Sequence, residues 1–258
     1  MNSLRSIDKC TEDRKKYYCK IILAEQKIEV ESFNKRVLTF LKDYSATFDE
    51  PDFIIEAADE ENQVRAKEHL LQTKICSPEE NIAVEFIGEE RAKIYRRIAD
   101  KMLWNDVILM HGAAIAIGDK CFVFIAPSGT GKTTHIMNWL KVIPGTMVIN
   151  GDKPLINVNR RMVFGTPWCG KENLNTNTSS PLAGIIALER SEKNSISSVP
   201  VNEMLPVLLR QCYVPAEKEL ALKAIQLISK LKDVPFYKLR CNMNEESAII
   251  AYRGLMST

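Results

Sequence analysis

Apolar residues along the chain fall into two recurring patterns: short continuous runs, and positions three or four residues apart. The runs are typical of buried strands, and the wider spacing is typical of amphipathic helices. In the first hundred residues the two patterns predict a strand pair over 17–30, a helix over 33–43, a strand over 52–57, a charged helix over 60–73, a strand over 82–87 and an amphipathic helix over 89–103. This first part carries no recognisable chemistry.

Beyond residue 104 the pattern changes, because strands pair as hairpins and lead into glycine-rich segments. The predicted strands are 107–110, 113–117, 121–125, 146–149, 155–158, 162–164, 183–188 and 236–239. The predicted helices are one that starts at Lys132 and ends before Pro144, and those over 202–212, 217–232 and 245–252. We therefore predict an α/β protein, with a small N-terminal α+β region over residues 1–104 and a second domain with a mixed sheet over residues 105–258.

The composition is that of an ordinary globular protein, with 45% hydrophobic and 26% charged residues. A net charge of +2 gives no electrostatic basis for binding nucleic acid or an anionic membrane. No apolar stretch approaches the roughly 20 residues that span a bilayer. The first ten residues also lack the apolar core of a signal peptide. We expect a cytoplasmic protein that binds neither nucleic acid nor membrane.

The sequence Ala-Pro-Ser-Gly-Thr-Gly-Lys-Thr at residues 126–133 follows a predicted strand and opens a predicted helix. Glycines at 129 and 131 allow successive backbone N–H groups to curl around a polyphosphate at the positive end of the helix dipole. Lys132 can reach the β- and γ-phosphates, and the Thr133 hydroxyl can ligate Mg²⁺. We predict that ATP and Mg²⁺ bind here, through Ser128, Gly129, Thr130, Gly131, Lys132, Thr133 and Thr134.

The alternative for this segment is a glycine-rich turn that binds nothing. The usual motif begins with glycine, whereas Ala126 stands at that position. Pro127 also lacks a backbone N–H that could donate to a phosphate. The strand–loop–helix context favours the phosphate-binding interpretation.

Two residues are candidates for acid–base chemistry and metal binding. Asp152 follows the strand that returns from the predicted loop helix, so its carboxylate can lie near the γ-phosphate. It could ligate Mg²⁺ or accept the proton of an attacking hydroxyl, and the alternative is a turn aspartate. His111 ends an apolar strand before Gly112, and the alternative there is a histidine satisfied within the core.

A third candidate lies in the polar loop over 165–178, which is long for a compact domain. Such loops often carry function. Lys171 offers a cation that could neutralise charge on a transferred phosphoryl group. The alternative is a loop packed on Trp168 that has no chemical role.

These segments together suggest a family. His111-Gly112, the hairpin, the loop over 126–133 and the turn over 150–153 resemble the HPr kinase/phosphorylase-like proteins, whose nucleotide domain is similar to that of phosphoenolpyruvate carboxykinases. The resemblance covers about residues 105–190 and implies an HPr kinase C-domain-like fold with a mixed sheet and a P-loop. The N-terminal region looks more like that of kinases that phosphorylate peptides, such as the lasso-peptide precursor kinases.

The resemblance also implies roles for individual residues. The family's histidine, which assists acid–base chemistry, falls on His111, and its base toward a serine hydroxyl falls on Asp152. A basic residue that touches the transferred phosphate is matched best by Lys171. The family often has two adjacent aspartates, whereas Gly151 precedes Asp152 in this chain.

The sequence thus favours an ATP- and Mg²⁺-dependent kinase whose acceptor is a Ser or Thr hydroxyl of a peptide or small protein. A small-molecule kinase, acting for example on free serine, would use the same machinery. A regulatory module that binds the nucleotide without transferring phosphate is supported by the missing second aspartate. Residues 1–104 could dock a peptide partner or form a structural layer, and assembly into a homo-oligomer also stays open.

Overall fold

The structure, a computed structural model, describes most of the chain, namely residues 16–32, 34–56 and 79–257, with only the backbone of 79–86. The helix predicted over 60–73 lies outside these described residues. Two compact units make up the chain, one formed by Met1–Ile22 and Gln26–Arg97 and the other by Leu23–Glu25 and Ile98–Thr258.

A three-stranded sheet is the main feature of the described part of the first unit. Its strands are β1 (Tyr17–Leu23), β2 (Gln26–Ser32) and β3 (Phe53–Ile55), in the order β1-β2-β3. Ala24 and Glu25 join the first two strands and have positive φ angles of 45° and 67°. A two-residue turn with positive φ angles at both positions fits the right-handed twist of the two strands that it joins. The predicted strand pair over 17–30 and the strand over 52–57 are confirmed.

A short helix follows the second strand. Helix α1 (Lys35–Leu38) begins after Asn34, whose side chain accepts a hydrogen bond from the Arg36 backbone N–H at 2.9 Å. This bond satisfies one of the backbone donors left over at a helix start. A 3₁₀ helix (Thr39–Tyr44) continues the turn, and the helical prediction over 33–43 is confirmed.

Helix α2 (Glu79–Met102) contradicts one prediction, because residues 82–87 are helical rather than extended. The apolar side chains of Ile94, Ile98 and Met102, spaced as a helix requires, are fully buried. Once a helix has formed, each further residue that is fixed adds one backbone hydrogen bond, whereas starting a helix fixes several residues for the first bond. The helix therefore extends over an apolar stretch that would also suit a strand, and the strand predicted over 82–87 is wrong.

One nine-stranded sheet forms the centre of the second unit. Its strands are β4 (Val107–Leu109), β5 (Ala113–Ile117), β6 (Lys120–Ile125), β7 (Thr146–Asn150), β8 (Leu155–Asn157), β9 (Met162–Phe164), β10 (Ser179–Arg190), β11 (Ser195–Ser198) and β12 (Phe236–Cys241). Seven of them follow the order β4-β8-β9-β10-β6-β5-β7, while β12 pairs with β10 and β11 pairs with β12. The eight strands predicted in this part are confirmed, and β11 was not predicted.

Helices pack on both faces of this sheet. They are α3 (Lys132–Val142), α4 (Val201–Gln211), α5 (Lys218–Ser229) and α6 (Glu246–Met256). Successive residues of β6 point to opposite faces, so Val123 packs in one cluster with Leu208 of α4, and Phe124 packs in the other with Trp139 of α3. The predicted α/β class with a mixed sheet is confirmed. None of the described helices combines the length and apolar character needed to cross a membrane.

Candidate functional site

Several strand ends meet at one edge of the large sheet. β6, β10 and β12 are parallel neighbours, so their last residues Ile125, Arg190 and Cys241 lie on the same side. β5 is antiparallel to both β6 and β7, so β7 also ends at this edge and β5 begins there. The segments that follow β6 and β7, and the segment that precedes β5, are therefore brought together although they are distant in sequence.

The loop between β6 and α3 has a backbone conformation that could surround a phosphate group. Gly129 and Gly131 have φ angles of 77° and 114°, a region that favours glycine. A Cβ atom added at Gly129 would meet nothing within 4 Å, so that side of the loop is open. Gly131 immediately precedes the first residue of α3, and the unpaired N–H groups of that helix end are suited to an anion.

The Lys132 side chain folds back along this loop. Its ammonium group donates a hydrogen bond to the Ala126 carbonyl at 2.8 Å. Burial lowers the pKa of Lys132, and the nearby Asp152 carboxylate opposes part of that shift. A half-buried cation beside an open cradle is attracted to phosphate oxygens, because an anion restores the stabilisation that burial removes.

Asp152 lies opposite the loop and has two basic partners. Its Oδ1 is 3.3 Å from His111 Nε2, and its Oδ2 accepts a hydrogen bond from Lys153 Nζ at 2.6 Å. Burial alone would raise the pKa of Asp152, but the hydrogen bonds from His111 and Lys153 and the charge of Lys153 lower it to about 2. The carboxylate is therefore ionised at neutral pH, as a metal ligand or a proton acceptor must be.

Asn150, at the end of β7, shapes the turn that carries this carboxylate. The Asn150 Oδ1 accepts from the backbone N–H groups of Asp152 and Lys153 at 2.9 Å and 2.6 Å. Its Nδ2 donates to the carbonyl and hydroxyl oxygens of Thr166 at 2.9 Å and 3.0 Å. The side chain is fully buried. Asn150 thus ties the Asp152 turn to the start of the 165–178 loop.

The loop and the Asp152 turn border an open cavity of about 320 Å³. It is lined by His111, Ser128, Gly129, Gly131, Lys132, Thr133, Thr134, Gly151, Asp152, Gly170, Glu172, Arg190 and Met243. Most of the predicted site residues are therefore neighbours around one space. The predicted nucleotide-binding, metal-binding and acid–base groups are close enough to act on one ligand.

Two predicted residues are not among those that line the cavity. The Thr130 hydroxyl donates to the Pro127 carbonyl at 2.8 Å, so it is engaged within the loop itself. Lys171 is exposed on the turn after Gly170. Its contact with a transferred phosphate stays a prediction.

Besides the glycines at 151 and 170, three cavity residues were not predicted as site residues from the sequence. Arg190 ends β10 beside the loop, and its guanidinium donates to the carbonyls of Gly129 and Thr130. Glu172 supplies a second carboxylate, and Met243 follows β12 and contacts Gly131. Arg190 could have been found from the sequence, because it lies at the end of a predicted buried strand. Glu172 and Met243 lie in loops, where no sequence pattern indicated a role.

The three histidines of the chain are not equivalent. His135, one turn into α3, is 3% exposed and accepts a hydrogen bond from Trp139 Nε1 at 2.9 Å. Burial lowers the pKa of His135 from 6.5 to about 4, so it is a neutral core residue. His111 alone of the two described histidines lines the cavity, and His69 lies outside the described residues.

The oxygen donors in the cavity fit Mg²⁺. This ion favours one or two carboxylates together with phosphate oxygens and water, rather than a full set of protein ligands. The Thr133 hydroxyl and the Asp152 carboxylate belong to that class, and Glu172 adds a third oxygen donor. Within the described ranges, no group of three or more His, Cys, Asp or Glu side chains is arranged to hold a metal ion.

Comparison of the chain with protein-family models and with curated protein sequences found no match.

Proposed function

We propose that this protein is an ATP- and Mg²⁺-dependent phosphotransferase that acts on a hydroxyl group. The observation that carries the proposal is the shared cavity of the phosphate loop, Asp152 and His111. Phosphoryl transfer needs a phosphate cradle, a metal ligand, a group that orients the nucleophile and cations for the transition state. For each of these parts, a candidate residue lines the cavity.

The loop would bind the triphosphate. Backbone N–H groups near Gly129 and Gly131 would surround the phosphates, and Lys132 would exchange its bond to the Ala126 carbonyl for phosphate oxygens. Thr133 and Asp152 would hold Mg²⁺, which neutralises charge on the phosphates. Arg190, which already contacts the loop, would add a second cation on that side of the cavity.

Asp152 would orient the acceptor hydroxyl and take its proton. Phosphoryl transfer passes through a loose transition state, in which positioning of the nucleophile matters more than its early deprotonation. A carboxylate whose pKa is about 2 is always ionised at neutral pH and can accept such a hydrogen bond. His111 and Lys153 would keep its orientation fixed during the reaction.

We further propose that the acceptor is a Ser or Thr residue of a peptide or small protein, and that the large unit has an HPr kinase C-domain-like fold. The mixed sheet, the hairpin before the phosphate loop and the order of His111, the loop and Asp152 along the chain support this placement. A kinase of free serine would have the same cavity, so the choice rests on the family resemblance.

A regulatory module that binds ATP without transfer is the other candidate. The glycine at position 151, where the resembled family often has an aspartate, is its main support. Glu172 weakens that support, because it brings a second carboxylate to the same cavity. The cavity therefore favours transfer over binding alone.

The test is phosphate transfer from γ-labelled ATP with Mg²⁺ to a Ser/Thr peptide library and to free hydroxy amino acids. We expect a labelled peptide with the wild-type chain and none with Lys132→Ala. Asp152→Asn should lower the rate by at least about 100-fold while nucleotide binding is retained. Asp119→Asn, in the exposed turn between β5 and β6, is the matched control and should leave the rate unchanged.

The outcomes separate the hypotheses. Label on free serine would assign a small-molecule kinase. ATP binding without labelled acceptor or ADP would assign a regulatory module. A normal rate in Asp152→Asn would remove Asp152 from the mechanism.

A further inference from the structure

Met243 lies in the turn between β12 and α6, at the rim of the cavity. Of the described residues that line this space, Met243 alone has a long apolar side chain. The side chain is 52% exposed. A Cβ atom added at Gly131 would lie 3.0 Å from Met243 Sδ and 3.4 Å from its Cε. The thioether therefore lies over the residue that immediately precedes α3, beside the place where the loop would surround a phosphate.

The turn that carries Met243 is held from two directions. Asn138 of α3 donates from Nδ2 to the Met243 carbonyl at 3.1 Å. Lys141, one turn further along α3, forms an ion pair with Glu245. On the side of the sheet, Asn194 Oδ1 accepts from the backbone N–H of the residue before Met243 at 2.9 Å. The backbone of Met243 is thus fixed, while its side chain stays accessible to a ligand.

The order of the strands divides the cavity into two sides. His111 precedes β5 and Asp152 follows β7, and both strands lie on one side of β6. Arg190 ends β10 and Met243 follows β12, and these strands lie on the other side of β6. A phosphoryl group that is to be transferred has to lie beside the group that orients the nucleophile, which is Asp152. The rest of a bound nucleotide then extends along the loop toward Arg190 and Met243.

We propose that the nucleoside lies on the β10–β12 side of the phosphate loop, with its base packed against Met243. A purine base is flat and aromatic, and a thioether makes favourable contacts with aromatic rings. The three rotatable bonds of methionine also let the side chain adapt to the ring. This assignment rests on the proposed function for the direction of the phosphates, and it adds the residue that contacts the base.

Contact of this kind does not distinguish adenine from guanine. Strong discrimination needs polar groups that match the donors and acceptors of one ligand. On this side the described lining residues are the apolar Met243 and Arg190, whose guanidinium already donates to the loop. Glu172 belongs to the other side, since a Cβ at Gly170 would lie 3.5 Å from its Oε2 and 3.4 Å from Asp152 Cβ. We therefore expect affinities for ATP and GTP within about fivefold of each other.

The test is the affinity of the full chain for the Mg²⁺ complexes of ATP, GTP and inorganic tripolyphosphate, measured by calorimetric titration. Each variant is compared with the wild type for the same ligand, so differences in ligand charge cancel. Met243→Ala should weaken binding of ATP and GTP by about tenfold. Binding of tripolyphosphate should stay within about twofold, because this ligand has no base. Met243→Leu keeps the apolar bulk and should stay within about threefold of the wild type for all three ligands.

Met147→Ala is the matched control, because Met147 is 41% exposed in β7 and does not line the cavity. It should leave all three affinities unchanged. An unchanged ATP affinity in Met243→Ala would overturn the inference while the proposed function stands. If that variant instead raised KM for the acceptor alone, the β10–β12 side would belong to the acceptor, and the inference would also be overturned.

Three further outcomes are decisive. An equal loss of ATP and tripolyphosphate binding in Met243→Ala would indicate damage to the loop and overturn the contact with the base. A purine preference larger than about fivefold in the wild type would overturn the apolar recognition. If the wild type binds none of the three ligands, the inference and the proposed function both fail. Binding that follows the expected pattern without any phosphate transfer would support the inference and refute only the proposed reaction.

Discussion

The backbone N–H of Gly112 donates to the backbone carbonyl of Asp152 at 2.9 Å. This bond joins the residue after His111 to the turn that carries the carboxylate. Because it runs between main chains, it sets the distance between the two backbone segments that carry the His111 and Asp152 side chains. Gly112 also has little room, since an added Cβ would lie 3.0 Å from both the Phe124 carbonyl oxygen and Ile125 Cγ2.

We expect Gly112→Ala to push the His111 segment away from β6. Overpacking of this kind lowers the free energy of unfolding by about 1–3 kcal/mol. The longer His111–Asp152 distance should also slow transfer by about tenfold or more. Urea denaturation and the labelled-ATP assay measure the two effects.

Gly88→Ala is the control for that substitution. An added Cβ at Gly88 would meet nothing within 4 Å, and the residue lies inside α2. Alanine there should raise the free energy of unfolding by about 0.5–1 kcal/mol, because glycine is a poor helix former. Equal effects of the two substitutions would contradict the packing account.

Asn150→Ala should be the most damaging polar change near the site. It removes two donors and one acceptor of a fully buried side chain, and leaves the Asp152 and Lys153 N–H groups without that partner. We expect unfolding free energy to fall by about 3 kcal/mol, and transfer to be lost as the Asp152 turn loosens. Asn202→Ala on the exposed surface of α4 should change neither quantity.

Arg190→Ala should weaken binding of Mg²⁺·ATP by about tenfold, which is about 1.4 kcal/mol. The variant loses both the guanidinium bonds to the Gly129 and Thr130 carbonyls and a cation in the cavity. Calorimetric titration measures the affinity. Arg240→Ala, on the neighbouring strand β12, removes an exposed ion pair with Glu189 and should leave the affinity within about twofold. A similar loss in both variants would indicate general electrostatics instead of a role for Arg190.

Stability should fall with acid in a window set by His135. Its pKa is about 4 in the folded chain and about 6.5 in the unfolded chain, so the unfolded state binds the proton first as the pH falls. The contribution of neutral His135 to the free energy of unfolding is fully present above pH 6.5. As the pH falls from there to about 4, the free energy of unfolding decreases by about 3 kcal/mol. Unfolding free energies at several pH values measure the slope.

His135→Gln tests the assignment, because its side chain does not titrate. The variant should be less stable than the wild type at neutral pH but should lose less stability between pH 6.5 and 4. An unchanged slope would assign the acid sensitivity to other groups. Asp152 is separate, since its lowered pKa of about 2 places its contribution at more acid pH.

The strand, the glycine-rich loop over 126–133 and the helix could be predicted from the sequence because their signals are local. An apolar run, two glycines and a helix start occupy consecutive residues, and β6, the Gly129 and Gly131 conformations and α3 follow them. The strand predicted over 82–87 failed for a related reason. Local apolar character suits a strand or a helix, and the neighbouring residues of α2 decided between them.

The sequence by itself thus determined the alternation of strands and helices, the glycine-rich loop and the identity of its lysine and threonine, since these depend on residues next to one another. Only the tertiary structure decided which distant residues share the cavity. Arg190, Glu172 and Met243 reach it, and Lys171 does not line it. The order and direction of the strands bring the ends of β6, β7, β10 and β12 to one edge. No local pattern encodes that order, because it is set by packing and hydrogen bonds between residues far apart in the chain.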